Sequence, residues 1–200
     1  MMGVTHIWVG TMAAVLLMEP KSPEECLAAL IGGAMGSIAC DIDLSAKTHQ
    51  SDTSRSRQLV GGIVLACIMA DSFFFIRLMH RICTGDSKTL AAGLVSLLLL
   101  CLWGWNQPHR GGCHSLLALA LFTGSVDMIS SILARPFMVA MASHLVLDLL
   151  NCSPIRLLYP LGGRWCLGLC RADGWLDRHL KHIGVIGTIL GVGIAIGRFL

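Results

Sequence analysis

Four short motifs carry the residues that can do chemistry. His6 stands at the head of the first apolar stretch, and Asp41-Ile42-Asp43 closes the second. His109-Arg110-Gly111-Gly112-Cys113-His114-Ser115 lies between two later stretches, and Ser143-His144-Leu145-Val146-Leu147-Asp148 ends another. Imidazole and carboxylate together form an ordinary ligand set for zinc, and also for manganese or iron. His144 and Asp148 are four apart, so a helix presents them on one face. The pair can hold a divalent ion jointly, or Asp148 can orient His144. Ionisable groups inside an apolar helix are costly and imply a partner or a function. Arg110 suits a phosphate or another oxyanion, and Gly111 and Gly112 let the backbone approach a ligand. The expected metal ligands are His6, Asp41, Asp43, His114, His144 and Asp148, shared between more than one role. His109 is expected to move protons, and Arg110 to clamp an anion.

The elements that position these residues are apolar stretches at 7–18, 26–40, 59–79, 89–105, 114–133, 137–150 and 183–197. Glu19 to Pro23 and the Arg135-Pro136 pair read as breaks, and Glu24 and Glu25 suit a helix start. The stretch at 59–79 is long enough to span a bilayer. The first, second, sixth and seventh are short for that. Strict alternation of direction brings His6, Asp41, Asp43, His109, His114, His144 and Asp148 to one membrane face. Lys47, Arg55, Arg57, Arg110, Arg156, Arg164, Arg171, Arg178 and Lys181 share that face. Lys21, Arg77, Arg81, Lys88, Arg135 and Arg198 fall opposite. Basic residues concentrate on the cytoplasmic side, so the motif face is expected to be cytoplasmic.

Composition sets the class. Hydrophobic residues make up 54% of the 200 and charged residues 14%, too few charges for an ordinary soluble domain. The expected fold is all-α, a polytopic helical membrane protein with a polar site at one membrane face. It is expected to be one domain, with the motifs in 6–160, a basic interfacial segment at 151–182 and a last apolar helix at 183–197. The net charge of +3 is small and no basic run alternates with aromatics, which argues against nucleic acid as a partner. The nine cysteines are odd in number and several lie in apolar runs, so they read as buried thiols. Cys166, Cys170, His179 and His182 read as packing and surface residues in preference to a zinc site. Asp71 and Asp127 read as structural ion-pair partners for nearby arginines. His49 and His80 read as a loop and an interfacial residue. Trp103, Trp105, Trp165 and Trp175 read as interface anchors.

At the four motifs the chain resembles a bacterial family of membrane-bound metal-dependent hydrolases. That family has an early His, an Asp-x-Asp after its second helix, a His-Arg-Gly-x-x-His-Ser box, and a Ser-His-x-x-x-Asp box with a later Leu-Tyr/Trp-Pro. The counterparts are His6, Asp41 and Asp43, His109 to Ser115, Ser143 to Asp148, and Leu158-Tyr159-Pro160. Three positions depart from the pattern. Ala39-Cys40 stands where Leu-Pro is common, Cys113 replaces a bulky residue, and Asn151-Cys152-Ser153-Pro154 replaces a Pro- and Gly-containing turn. The departures touch turns more than candidate ligands. The resemblance implies a hydrolase of the bacterial inner membrane acting on a phosphoester or a lipid-related small molecule, with membrane lipids as its surroundings. The competing expectation is a non-enzymatic protein or transporter that uses the His/Asp cluster to bind an ion. A transporter would place these groups near the bilayer midplane, whereas here they fall at helix ends.

Overall fold

The computed structural model describes residues 1–43 and 87–200. Among them are six α-helices: α1 (Gly3–Met18), α2 (Pro23–Ala39), α3 (Ser87–Trp105), α4 (Leu116–Ile129), α5 (Ser131–Leu150) and α6 (Trp175–Phe199). A 3-10 turn, Cys40–Asp43, extends α2. Strands are absent among the described residues, apart from isolated bridges pairing Asn151 with Cys170 and Ile155 with Trp165. Four segments are long and apolar enough to cross a membrane: Pro23–Asp43, Ser87–Trp105, Ser131–Leu150 and Trp175–Phe199. α1 and α4 are shorter. The chain is an all-helical membrane protein. The expectations for 59–79, His49, Asp71, His80 and the basic residues between Lys47 and Arg81 lie outside the described residues.

Small residues decide the packing. α2 carries two stripes of them, each with a four-residue repeat. A side chain on Gly32 or Gly36 would run into α5 backbone at Leu133 and Phe137. Gly33 and Ser37 face the other way, against Thr11 and Gly10 of α1. Close backbone approach of this kind is how helices associate where lipid supplies no hydrophobic drive. α2 and α5 are therefore the inner pair, 56% buried each, whereas α3 and α6 are only 17% and 22% buried and face outward. α6 lies along α1 in the same direction, with Gly184, Gly187 and Gly191 against Trp8, Met12 and Val15. α3 and α4 pair antiparallel, with Gly93 on Met128 and Ile129 and a Ser96–Ser125 hydroxyl hydrogen bond of 2.9 Å.

Three boundary expectations need correction. Arg135 and Pro136 do not break the chain; the break is Ser130, extended at φ −158°, which ends α4 and starts α5. Pro136 sits inside α5 near its start, costs one backbone bond, and packs its ring against Gly32. The last helix starts at Trp175, eight residues before the apolar run at 183, because its first turns carry a charged outer face. Among the described residues the short helices are the first and the fifth stretch, not the second, sixth and seventh. Ser22 caps α2 through its hydroxyl to Glu25 N, with Pro23 in the first turn. Asp127 and Arg135 border one shallow groove without forming an ion pair among the described residues.

The ends of the helices sort into two levels. The starts of α1 and α6, the ends of α2, α3 and α5, and the start of α4 all lie at one level. Met2 N donates to Asp177 Oδ2 at 3.2 Å, which ties the start of α1 to the start of α6. Leu116 N donates to Leu157 O at 2.9 Å, which ties the start of α4 to the segment after α5. Trp105, Trp165 and Trp175 are more than half exposed at this level, as interface residues should be.

Candidate metal centre

Each motif reaches this level on a different element. His6 comes from the first turn of α1, Asp41 and Asp43 from the 3-10 turn after α2, and His144 and Asp148 from the last turns of α5. His109, Arg110 and His114 come from the α3–α4 connection. That connection is tightened by Gly111 N donating to Pro108 O and His114 N donating to Gly111 O. Ser115 then caps α4, its hydroxyl accepting from Ala118 N at 3.1 Å. The structure brings all eight residues together.

Two donor groups lie within 4.8 Å internally: Asp41, Asp43, His109 and His114, and His6, His144 and Asp148. Contacts between the groups merge them. His114 Nε2 is 3.2 Å from Asp148 Oδ2 and 3.6 Å from Asp41 Oδ1. His144 Nε2 is 3.6 Å from both Asp41 Oδ1 and Asp148 Oδ2. Four of the six distances among these atoms are therefore 3.2–3.6 Å. Donors about 2.0–2.1 Å from a tetrahedral zinc ion stand about 3.3 Å from one another. These four distances are close to that edge.

The hydrogen bonding is incomplete at the same atoms. His114 Nε2 and His144 Nε2 are buried and have no hydrogen-bond partner. Buried polar atoms are nearly always paired, and an orphan needs a reason. The opposite nitrogen of His144, Nδ1, lies 2.6 Å from Ser37 O. A carbonyl only accepts, so Nδ1 carries a proton and Nε2 is the nitrogen turned toward Asp41 and Asp148. That is the usual arrangement of a metal-ligating histidine. The donor set and its orphaned atoms fit a divalent ion.

Asp43 stands behind this set. Its Oδ1 lies 2.9 Å from His109 Nδ1, and its Oδ2 accepts from Arg110 N at 3.0 Å and lies 3.3 Å from His114 Nδ1. Both of its oxygens are thus engaged by neighbours, although distance alone would admit it as a ligand. His6 stacks on His144 with ring centroids 3.8 Å apart, and its Nε2 is 3.5 Å from Asp148 Oδ1. Arg110 donates from its guanidinium to Ser153 O and to Asp148 Oδ1, the latter at 3.4 Å. Its backbone is left-handed at φ 62°, a conformation a non-glycine residue holds at a cost of about 1–3 kcal/mol.

Electrostatics favour a cation at the centre. Burial works against a charged His114, yet its contacts with Asp148, Asp41 and Asp43 outweigh it and hold the imidazole well above its ordinary range. Burial pushes the neighbouring Cys113 thiol up to about 12, helped by Asp43, so Cys113 is a packing residue and not a thiolate nucleophile. Cys166 and Cys170 do not gather with His179 and His182 among the described residues; Cys170 is buried, Cys166 is exposed, and His179 Nδ1 lies 2.8 Å from Trp175 O.

Two contributors escaped the motif reading. Ser37 acts through its carbonyl, and its only trace in the sequence is a position four residues before Asp41 on a small-residue stripe. Asp177 is 1% exposed and accepts from Met2 N and Asp173 N, joining α1 to α6 beneath the site. No curated protein and no solved structure matches the chain. A family model described as YdjM inner membrane protein matches residues 1–196, nearly the whole chain, and the protein belongs to that family.

Proposed function

We propose that this protein is a metal-dependent hydrolase of the inner membrane, crossing it several times, with its site at the cytoplasmic face. The observation that carries the reading is the convergence of Asp41 Oδ1, His114 Nε2, His144 Nε2 and Asp148 Oδ2, four of their six distances being 3.2–3.6 Å, with both imidazole nitrogens otherwise unpartnered. These four residues would hold one divalent ion, zinc among the candidates, with a fifth position left open to water. His6 would act as an accessory donor through Asp148, and Asp43 would orient His114 and His109. A bound divalent ion supplies a water of lowered pKa and polarises a phosphoryl or carbonyl oxygen. His109 is 40% exposed and held by Asp43 through Nδ1, which leaves its second nitrogen to take or give a proton. Arg110 sits at the same mouth and would steady an anionic group.

The level of the site favours an enzyme over a transporter. The donors occupy helix ends on one side, whereas a transport site is expected at mid-depth on broken helices. Among the described residues, Arg110, Arg156, Arg164, Arg171, Arg178 and Lys181 lie toward the site level. Lys21, Lys88, Arg135 and Arg198 lie toward the other, which supports a cytoplasmic site.

The test uses purified protein, stripped by chelation and reloaded with zinc, on p-nitrophenyl phosphate and p-nitrophenyl acetate. Turnover of either probe is expected only in the loaded state and should vanish in His144→Ala. Turnover that survives both chelation and His144→Ala would remove metal hydrolysis from the account, and no turnover of either probe by zinc-loaded protein would count against a hydrolase.

A further inference from the structure

We propose that the substrate is a lipid phosphate, with its charged head at Arg110 and the metal donors and its chain lodged between α2 and α3. The headgroup half of this rests on the metal reading above, and the chain half rests on the cavity beside the site.

That cavity has a volume of about 990 Å³, at the upper end for small-molecule sites. One end is polar, formed by His6, Asp41, His109, Arg110 and Asp148. The walls leading away from it are apolar: Met35 and Ile38 of α2 with Ile42 of the 3-10 turn that extends it, and Leu98, Leu102 and Trp105 of α3. Each set follows the three- and four-residue spacing of one helix face, so the apolar wall runs about 10 Å along the helix axis. Phe122 and Phe137, both nearly fully buried, also line it. Leu98 and Leu102 line the cavity and are still 58% and 51% exposed, so among the described residues nothing closes the cavity on the outer side of α3.

A water-soluble phosphate would fill only the polar end and leave the apolar wall wet. An amphiphile satisfies both ends and needs no passage out of the bilayer. Charge then selects the head. Arg110 and the Met1 ammonium stand 3.4 and 3.9 Å from Asp148 Oδ1, and a divalent ion adds two more positive charges, so an anionic head is held more tightly with the ion than without it. Hydrolysis of such a substrate forms one P–O bond from water and breaks the P–O bond to the lipid alcohol. The water's proton goes to the departing alkoxide, giving the free alcohol and inorganic phosphate.

The experiment places zinc-loaded protein in phosphatidylcholine nanodiscs and titrates it with dihexanoyl phosphatidic acid and, separately, inorganic phosphate, subtracting the signal of empty discs. The lipid phosphate should bind at least about tenfold more tightly, the gain from removing only two methylenes from water. Ile38→Trp and Cys101→Phe each put a ring into the cavity from opposite walls. Each should abolish that advantage while leaving inorganic phosphate binding and helicity unchanged. Equal affinity for the two probes would overturn the inference, and so would a lipid preference that survives both substitutions. Zinc content measured on the same samples separates the two readings. Bound zinc without lipid preference sinks this inference alone, whereas absence of zinc sinks the hydrolase reading and the headgroup half with it.

Discussion

His144 Nδ1 lies 2.6 Å from the carbonyl oxygen of Ser37, across the interface between α5 and α2. This contact couples the chemistry to the helix packing. It sets the tautomer of His144, aims Nε2 at Asp41 and Asp148, and depends on the register that Gly32 and Gly36 permit. His144→Ala and Asp148→Ala should therefore each lower metal occupancy by more than the roughly 10–100-fold typical of an outer partner. Helicity should survive, since alanine is a good helix former. Arg110→Ala should keep the metal and weaken only the handling of an anion. Metal content and circular dichroism of the three variants check this; full metal in the first two with loss in Arg110→Ala would reverse the assigned roles.

The packing side of the same contact makes its own prediction. A Cβ at Gly36 meets the backbone oxygen of Phe137, which no side-chain rearrangement relieves. Gly36→Ala should cost about 1–3 kcal/mol of stability, as overpacking does. It should also lower metal occupancy although residue 36 offers no ligand, because α2 carries Asp41 and Ser37 together. Thermal unfolding and metal analysis of this variant measure both effects. Normal stability with normal metal would mean that the α2–α5 register does not position the site.

Asp43→Asn separates the roles of the two aspartates in the Asp41-Ile42-Asp43 motif. Asp43 has both oxygens engaged by His109, Arg110 and His114, so its proposed role is to orient the ligands. Its loss should weaken metal binding about 10–100-fold, while Asp41→Asn should weaken it further. Competition titration against a chelator of known affinity ranks the two. The reverse ranking would put Asp43 on the ion.

Much of this site was legible in the sequence for a physical reason. His144 and Asp148 in an apolar helix, and Asp41 and Asp43 at the end of another, are costly unless they serve something, and alternating helix direction brings them to one face. That Asp43 faces His109 and Arg110 while Asp41 faces His114 and His144 was not legible, because two identical side chains two residues apart differ only in which way the 3-10 turn points them. Ser37 was hidden because its backbone carbonyl, and not its hydroxyl, makes the contact. Pro136 misled as a break because a proline near a helix start costs a single bond that close packing on Gly32 offsets. The start of α6 was obscured by Asp177, Arg178, His179, Lys181 and His182, charged or polar residues on a helix that continues into lipid-facing sequence.

The pH dependence follows from His114. Its folded pKa is raised above the ordinary value near 6.5 by Asp148, Asp41 and Asp43 against the effect of burial. A raised folded pKa contributes stability that is fully present below 6.5 and is lost as pH rises through the folded value. Above that window three carboxylates lose their nearest positive charge in the metal-free protein. Zinc should then stabilise the protein more at pH 8.5 than at pH 6, and binding near neutral pH should release a proton. Unfolding temperatures with and without zinc at the two pH values decide it. An equal gain at both would mean that the ion and the His114 proton do not compete for one place.

The account stands on one claim, that Asp41, His114, His144 and Asp148 hold a metal ion. X-ray absorption on the purified, zinc-supplemented protein tests it most directly, read together with elemental analysis. Close to one zinc per chain is expected, with the four protein donors and one water oxygen at about 2.0–2.2 Å and a histidine scattering signature that His144→Ala removes. No bound transition metal after supplementation, or a sulfur-ligated ion untouched by His144→Ala, would contradict it.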